Sequence, residues 1–230
     1  MATIIDLHVH TTRGSSDSSL SPEEMVQEAK RLGLPGLCIT EHNAFWDRRE
    51  FTDFARKYDL LLIRGVEIDT DMGHVLVFGL ESYVSGISQM SELRRVVDES
   101  EGFVITAHPF RGIHSPGGIS RPLLYKDDVS LPSSVEEAAQ HPVFGFVDAI
   151  EAANGNTIDG ENVFAWKVAQ RLSRNSTGGS DAHSIHGLGR CSTVFENDIR
   201  SEDEFIQALR KGRYYAAYGL RAGNLQPFLG

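Results

Sequence analysis

Short apolar segments with strand character recur along this chain, and most of them end in a histidine, an aspartate or a glutamate. They alternate about seven times with amphipathic segments, which is typical of parallel strands joined by crossover helices. Such a chain folds as an open doubly wound sheet or as a barrel. The C-terminal ends of barrel strands meet at one mouth, whereas those of an open sheet spread along an edge, so these polar strand ends favour a barrel.

The first strand carries the clearest polar face. It ends in DLHVH, residues 6–10, and side chains alternate in direction along a strand. Asp6, His8 and His10 therefore point one way, while Leu7 and Val9 point the other. Two imidazoles beside a carboxylate suit a metal ion, and we prefer this interpretation of His8 and His10 to that of ordinary polar residues at a strand end.

Three later strands present single polar groups in the motifs TEHN, GVEID and TAHPF. Glu67 lies inside an otherwise apolar strand, where an unpaired charge is costly, so a buried cation must accompany it, either a metal or an arginine. His42 and His108 fit a metal site, and they also fit core histidines that are hydrogen-bonded to the backbone.

The remaining candidates are weaker when each is taken alone. Asp181 and His183 in GSDAH, like Asp17 in GSSDSS, are also explained by capped turns, and His74 begins its strand rather than ending it. However, six of the chain's nine histidines fall near the ends of predicted strands, which scattered surface histidines would not do.

Composition narrows the class of protein. The chain has 230 residues, of which 40% are hydrophobic and 23% charged, so we expect one domain over residues 1–230. The net charge of -10 argues against general affinity for a nucleic-acid backbone or an anionic membrane, because both need a basic face. Cys38 and Cys191 are too few for a disulfide framework. Without a signal segment or an apolar run of about 20 residues, the chain is expected to be cytoplasmic.

Local signals place several elements. Capping boxes formed by Ser21 with Glu24 and by Ser201 with Glu204 predict two helix starts. The segment HVLVFGL is a short strand that could pair as a hairpin with LLLIRGVEI. A stretch rich in Gly, Pro and Ser at about 112–142 predicts a long loop over one rim.

These motifs, in this order, resemble the PHP (polymerase and histidinol phosphatase) family. The resemblance rests on DLHVHTT with SSDSSLSPEEMV, GLCITEHN, GVEI, TAHPFR and GGSDAH, and it spans about residues 3–195. It implies a distorted seven-stranded (β/α) barrel, hence a TIM-like barrel, with the metal site at the C-terminal ends of the strands. It also implies a metal-dependent phosphoesterase with two to three divalent metal ions, usually zinc, manganese or iron.

The resemblance also assigns ligands. One metal would be held by His8, His10, Glu67 and Asp181, a second by Glu67, His74 and His108, and a third by Asp17, His42 and His183. The chain departs from the family pattern TDH with TEH, so that Glu41, at the position that would support His42, is one methylene longer than the usual aspartate. Only 41 positions separate Glu67 from His108, which leaves no room for the large inserted domain of some relatives.

The chemistry implied is hydrolysis of a phosphoester by a metal-activated water. Arg111 and Arg190 follow strand ends and are predicted to bind the substrate phosphate, with Arg13 and Arg121 as further candidates. His186, just past GSDAH, is a candidate for the acid that protonates the leaving group, and a solvated loop histidine is the alternative.

Three functions stay open from the sequence. The first is a phosphatase or phosphodiesterase that acts on a small phosphorylated metabolite or nucleotide. The second is an exonuclease or oligonucleotide phosphoesterase, although the acidic charge argues against long nucleic acids. The third is an inactive, metal-stabilised structural or regulatory domain. We expect no membrane partner, and the sequence does not indicate an oligomeric state.

Overall fold

One curled sheet of ten strands organises the computed structural model, which describes residues 2–114, 122–125 and 130–230. Arg121 and part of the loop predicted at 112–142 lie outside the described residues. The order across the sheet is β10-β9-β8-β1-β2-β3-β4-β5-β6-β7. The strands are β1 (Thr3–Val9), β2 (Gly36–Ile39), β3 (Leu61–Thr70), β4 (Gly73–Phe78), β5 (Phe103–Thr106), β6 (Ala149–Asn154), β7 (Asn175–Gly179), β8 (Cys191–Phe195), β9 (Tyr214–Tyr218) and β10 (Gln226–Pro227).

The two predicted capping boxes differ in outcome. At the start of α1 (Pro22–Leu32), the Ser21 side chain accepts from Glu24 N while Glu24 accepts from Ser21 N, so this box is confirmed. At the start of α6 (Glu202–Lys211), Ser201 accepts from Glu204 N, but the Glu204 carboxylate accepts from Arg200 N instead, so the second box is only half formed. The helices are α1 (Pro22–Leu32), α2 (Arg48–Ala55), α3 (Met90–Glu99), α4 (Val135–Ala138), α5 (Asp159–Arg171) and α6 (Glu202–Lys211).

The mixed α/β class is confirmed, but the sheet departs from seven repeats of strand and helix. A turn of two residues between Thr70 and Gly73 joins β3 to β4 as the antiparallel hairpin that the sequence suggested. β4 therefore runs against β3 and β5, whereas β1, β2 and β3 are mutually parallel, as are β5, β6 and β7. β8, β9 and β10 extend the sheet antiparallel beyond β1.

The ends of β1 and β7 meet across the curl of the sheet. Asp181 N donates to His8 O at 2.7 Å, and His10 N donates to Ala182 O at 3.0 Å. Gly179 makes this approach possible, because a Cβ at that position would lie 2.5 Å from the Cβ of His8. The chain segments that carry the HVH and GSDAH motifs are thereby held side by side.

Apolar packing occupies the opposite end of the strands. Phe205 of α6 is fully buried and packs edge-on against Phe78, with ring centroids 5.1 Å apart, and lies 5.6 Å from the ring of Phe195. Phe103, at the start of β5, belongs to the same cluster. This end of the sheet is closed by hydrophobic side chains, which leaves the other rim to polar groups.

Two further features concern the chain as a whole. Cys38 and Cys191 are both buried free thiols. Across the part of the chain that the structure describes, every helix is too short or too polar to traverse a bilayer.

Candidate metal centre

Imidazoles and carboxylates converge at the rim that lies away from Phe205. Most of them follow the C-terminal ends of parallel strands, where connecting loops meet. The structure brings together every residue of the predicted ligand set, namely His8, His10, Asp17, His42, Glu67, His74, His108, Asp181 and His183.

Four of these side chains face one another at the centre of the cluster. His8 Nε2 lies 3.4 Å from Glu67 Oε2 and 3.5 Å from Asp181 Oδ1. His10 Nε2 lies 3.3 Å from each of the same two oxygens. Two rings and two carboxylates therefore turn one atom each toward a common point, and each of the four side chains is buried.

The other oxygen of Glu67 faces a second pair of histidines. Glu67 Oε1 lies 2.9 Å from His74 Nδ1 and 2.9 Å from His108 Nε2. His74 reaches this rim because β4 runs antiparallel to its neighbours, so its first residues lie beside the last residues of β3. The hairpin thus explains how His74 lies at this rim although it begins its strand rather than ending it.

A third group lies on the more exposed side of the cluster. His42 Nε2 is 3.3 Å from both His183 Nε2 and Asp17 Oδ2, and His183 Nε2 is 3.4 Å from Asp17 Oδ2. His42 also turns Nδ1 to within 2.9 Å of Glu67 Oε2. Glu67 is therefore shared by all three groups.

The centre places several negative charges in a dry environment. Burial by itself would raise the pKa of Glu67, but the adjacent imidazoles, His8 foremost, outweigh it and hold that pKa well below its usual range. Burial and His8 act on Asp181 in the same opposing way, and its pKa is also held well below its usual range. Both side chains are therefore anions that need positive partners.

Two residues of the cluster adopt the left-handed backbone conformation. His108 has a φ of 32° and Asp181 a φ of 51°, which non-glycine residues rarely adopt. Each lies two residues after the end of a strand, where the chain must turn sharply to direct a side chain into the rim. Such strain persists where the surrounding structure enforces it, and it concentrates at functional sites.

Glu151 is a member of this site to which the sequence alone assigned no role. Its Oε1 lies 2.9 Å from His8 Nδ1, and its Oε2 accepts from His108 N at 2.8 Å and from Asn154 Nδ2 at 2.9 Å. One buried carboxylate thus orients a ring and a strand end. The available signal was a glutamate at the polar end of an apolar strand, which does not reveal its partner.

Asp6, on the same strand as His8, accepts hydrogen bonds from both ends of the loop 180–189. Its Oδ1 accepts from Ser180 N at 2.7 Å and its Oδ2 accepts from Gly189 N at 3.0 Å. Burial raises the pKa of Asp6 to about 6 in spite of these hydrogen bonds. The carboxylate holds both ends of segment 180–189, which carries Asp181 and His183.

Arg111, which follows the HPF motif, contacts a residue of the cluster. Its Nη2 forms an ion pair with Asp181 Oδ2 and donates to Asn154 Oδ1 at 2.9 Å, while its Nε donates to Thr157 Oγ1 at 3.0 Å. Gly112 N, next in the chain, donates to the buried Glu161 Oε1 at 2.8 Å. The guanidinium is held in one plane at the edge of the cluster.

Arg190, Arg13 and the predicted acid His186 make no described hydrogen bond or ion pair with the predicted metal ligands. Arg190 donates to Gly155 O at 3.4 Å and lines a hollow of about 610 Å³ that it shares with Tyr218. Arg13 lies over the ring of Trp46 and pairs with an exposed glutamate. His186 is exposed in the turn after Asp181.

The fold and the rim cluster together define a class of α/β proteins whose strand ends carry a centre of histidines and carboxylates. This chain belongs to the PHP family. Its residues 6–103 match the PHP domain, and residues 159–214 match the PHP-associated region.

Individual relatives cover the chain unevenly. An error-prone DNA polymerase of Nocardia farcinica is 33% identical over 63 residues, which is 27% of this chain and only 6% of the polymerase. Among solved structures, a protein assigned as a metal-dependent phosphoesterase from Bifidobacterium adolescentis superposes with a TM-score of 0.59 at 18% identity, covering 90% of this chain and 96% of that one.

Endonuclease Q in complex with a 27-mer duplex that carries an abasic lesion at the active site has the same fold. It superposes with a TM-score of 0.61 at 18% identity, over 92% of this chain and 57% of that one. Such a likeness shows the fold alone. The expectation that this chain does not act on long nucleic acids therefore rests on its net charge alone, and the fold does not support it.

Proposed function

We propose that this chain is a metal-dependent phosphoesterase. One observation carries the proposal: Nε2 of His8, Nε2 of His10 and Oε2 of Glu67 are buried atoms to which no described residue makes an aligned hydrogen bond. Burying polar atoms in this state is costly unless a further partner binds them. Ring nitrogens and carboxylate oxygens that face one another are the donors that divalent zinc, manganese or iron would satisfy.

The ligand sets follow from the three groups. His8, His10, Glu67 and Asp181 would hold one cation. Glu67 would bridge to a second cation at His74 and His108, and Asp17, His42 and His183 would hold a third. Charge supports this assignment, because Asp6, Glu41, Glu67, Glu151 and Asp181 are almost fully buried, whereas Arg111 is the only arginine described in contact with these carboxylates.

Bound divalent cations supply Lewis-acid charge and make water acidic enough to serve as a nucleophile near neutral pH. The residues of this chain do the rest. Arg111 presents the two N–H groups of Nη1, which form no hydrogen bond with a described residue, at the edge of the centre, where phosphoryl oxygens would be bound. Asn154 and Thr157 hold its plane, and Glu151 fixes the ring of His8. His186 is our candidate for the leaving-group acid.

The substrate we favour is a small phosphorylated metabolite or nucleotide. The net charge of -10 would repel a long polyanion outside the immediate reach of the cations and Arg111. An endonuclease or exonuclease activity is the second candidate, and it is favoured by the duplex-bound endonuclease Q of the same fold. An inactive metal-stabilised domain is the third.

One experiment separates these candidates. Metal content is measured by inductively coupled plasma mass spectrometry on protein purified without chelator or affinity metal. Turnover is then measured on phosphomonoesters, phosphodiesters and short DNA duplexes with Mn²⁺ or Zn²⁺ restored. Two or three metals per chain with turnover of small esters support the proposal, and turnover of DNA alone supports the nuclease. Bound metal without turnover favours the inactive domain.

A further inference from the structure

Behind His10 lies a buried chain of hydrogen bonds that ends on a carboxylate. His10 Nδ1 is 3.1 Å from Ser15 Oγ, and Ser15 Oγ is 2.6 Å from Glu41 Oε2. The three side chains are buried, with at most 1% of each exposed. These hydrogen bonds start at Nδ1 of His10, on the opposite side of the ring from Nε2, and Nε2 faces Glu67 and Asp181.

The direction of each hydrogen bond follows from counting protons. A carboxylate accepts only, so the single hydroxyl proton of Ser15 is donated to Glu41. Glu41 takes its other donors from Thr11, whose N lies 2.9 Å from Oε2 and whose hydroxyl contacts Oε1. Ser15 Oγ can then only accept, and it does so from His42 N at 3.1 Å. His10 Nδ1 must therefore carry a proton that it donates to Ser15.

We infer that Ser15 is a positioning residue that keeps the Nδ1 proton on His10 and directs its Nε2 lone pair into the rim. His10 is where this matters most, because its ligand atoms lie close to those of His8 and Asp181 and also to those of His42 and His183. The tautomer with the proton on Nε2 would turn an N–H, which cannot bind a cation, toward His8 and Asp181 and toward His42 and His183. The inference rests on the proposed function only in that the cation is what Nε2 would bind.

Glu41 is the acceptor at the end of this chain of hydrogen bonds. A Cβ at Gly14 would lie 2.7 Å from Glu41 Cγ and 2.8 Å from Glu41 Cβ, so the glycine makes room for this side chain. Glu41 does not support His42 directly, as the family pattern suggested that a residue at this position would. It acts through Ser15 instead, and Ser15 in turn contacts both His10 and the backbone of His42.

The test compares Ser15→Ala with Ser16→Ala, because Ser16 is the adjacent serine and is exposed. Two-bond proton–nitrogen NMR spectra of histidine-labelled wild-type protein, metal-free and zinc-loaded, locate the ring proton of His10, with His10→Gln providing the assignment. Zinc affinity is measured by competition with a chelator. We expect a proton on Nδ1 in both wild-type spectra and zinc binding about 10- to 100-fold weaker in Ser15→Ala, with no change in Ser16→Ala.

The inference is overturned if His10 Nδ1 of the wild-type protein lacks a proton, or if Ser15→Ala binds zinc as tightly as Ser16→Ala. The NMR result does not depend on whether the variant folds. If both results are as expected and the wild-type protein hydrolyses no phosphoester, the proposed function fails and the role of Ser15 stands. If the wild-type protein binds none of zinc, manganese and iron, the proposed function also fails, and the metal-free spectrum alone decides the role of Ser15.

Discussion

His8 Nδ1 and Glu151 Oε1 lie 2.9 Å apart, and both side chains are withdrawn from solvent. Since the carboxylate can only accept, the proton stays on Nδ1 and His8 Nε2 is free to face Glu67 and Asp181. This arrangement of carboxylate and histidine typically raises the basicity of a ligating ring and fixes its orientation. Glu151 and Ser15 thus perform the same task for the two rings of the HVH motif.

Glu151→Gln should weaken metal binding. The two oxygens of Glu151 now accept from three donors, namely His8 Nδ1, His108 N and Asn154 Nδ2. The amide of glutamine replaces one of these oxygens by an N–H₂ group, which cannot accept, so the ring of His8 loses its orientation. We expect metal affinity to fall by about 10- to 100-fold, the usual effect of losing such a partner. Competitive metal titration measures it, and Glu196→Gln, an exposed glutamate, is the matched control. Equal affinity in the two variants would contradict this role.

Asp181→Asn should abolish most hydrolysis. It removes a charge that faces His8, His10 and Arg111 at once. We expect kcat/KM to fall by at least about 100-fold, equivalent to about 2.7 kcal/mol. Steady-state kinetics on the best ester found in the panel measures the loss, and a circular dichroism spectrum like that of the wild type shows that the fold is retained. Turnover within about threefold of wild type would remove Asp181 from the centre.

Arg111→Ala should weaken binding of anions more than it slows other steps. Its guanidinium is planar and held by Asn154 and Thr157, so Arg111→Lys should not restore the function. We expect the inhibition constant for inorganic phosphate to rise by about 10-fold, the size of one charge-assisted hydrogen bond. Arg190→Ala is the comparison, because the phosphate role of Arg190 is still a prediction. A larger effect at Arg190 than at Arg111 would reverse the assignment.

His141 should make the fold less stable in mild acid. Its Nδ1 accepts from Val143 N at 3.2 Å and its Nε2 lies 2.9 Å from Leu124 O, so the neutral ring is required. Burial lowers the pKa of His141 below its ordinary 6.5, although the bond to Leu124 opposes this. The unfolded chain therefore binds the proton more readily, and the free energy of unfolding falls as the pH drops below 6.5.

Urea unfolding between pH 7.5 and pH 5 measures this effect against His141→Asn. The asparagine can still accept from Val143 N but does not titrate in this range. We expect the variant to lose less stability than the wild type over the same interval. Identical losses in the two proteins would show that His141 contributes nothing to the pH dependence.

Phe205→Ala should destabilise the end of the sheet that lies away from the cluster of histidines and carboxylates. The ring is fully buried between Phe78 and Phe195, and its removal leaves a cavity. Such truncations cost about 3–5 kcal/mol, measurable by chemical unfolding. Tyr215→Ala, which removes a ring that is 41% exposed, is the control and should cost far less. Equal costs would mean that α6 does not close the core.

Elements with strong local signals could be predicted from the sequence. The strands that carry the polar motifs, the capping box at Ser21 and the hairpin of β3 and β4 are all confirmed. β9, at YYAAY, was missed because its residues do not alternate strictly between buried and exposed, Ala216 and Ala217 both being buried. The short α4 was missed inside a segment whose Gly, Pro and Ser content indicated a loop.

Local chemistry in the chain shows which groups end the strands, because it includes the alternation of side chains along a strand and the preference of carboxylates and imidazoles for metal ions. The tertiary structure alone decided which oxygen faces which ring. Glu151 contacts His8, which is 143 positions away in the chain, and Arg111 contacts Asp181, which is 70 positions away. The side chain of Glu41 contacts Ser15 rather than His42. Such pairings depend on the curl of the sheet, on the reversed direction of β4 and on the space left by glycines. No periodicity in the chain encodes them, since each partner is placed by a different element.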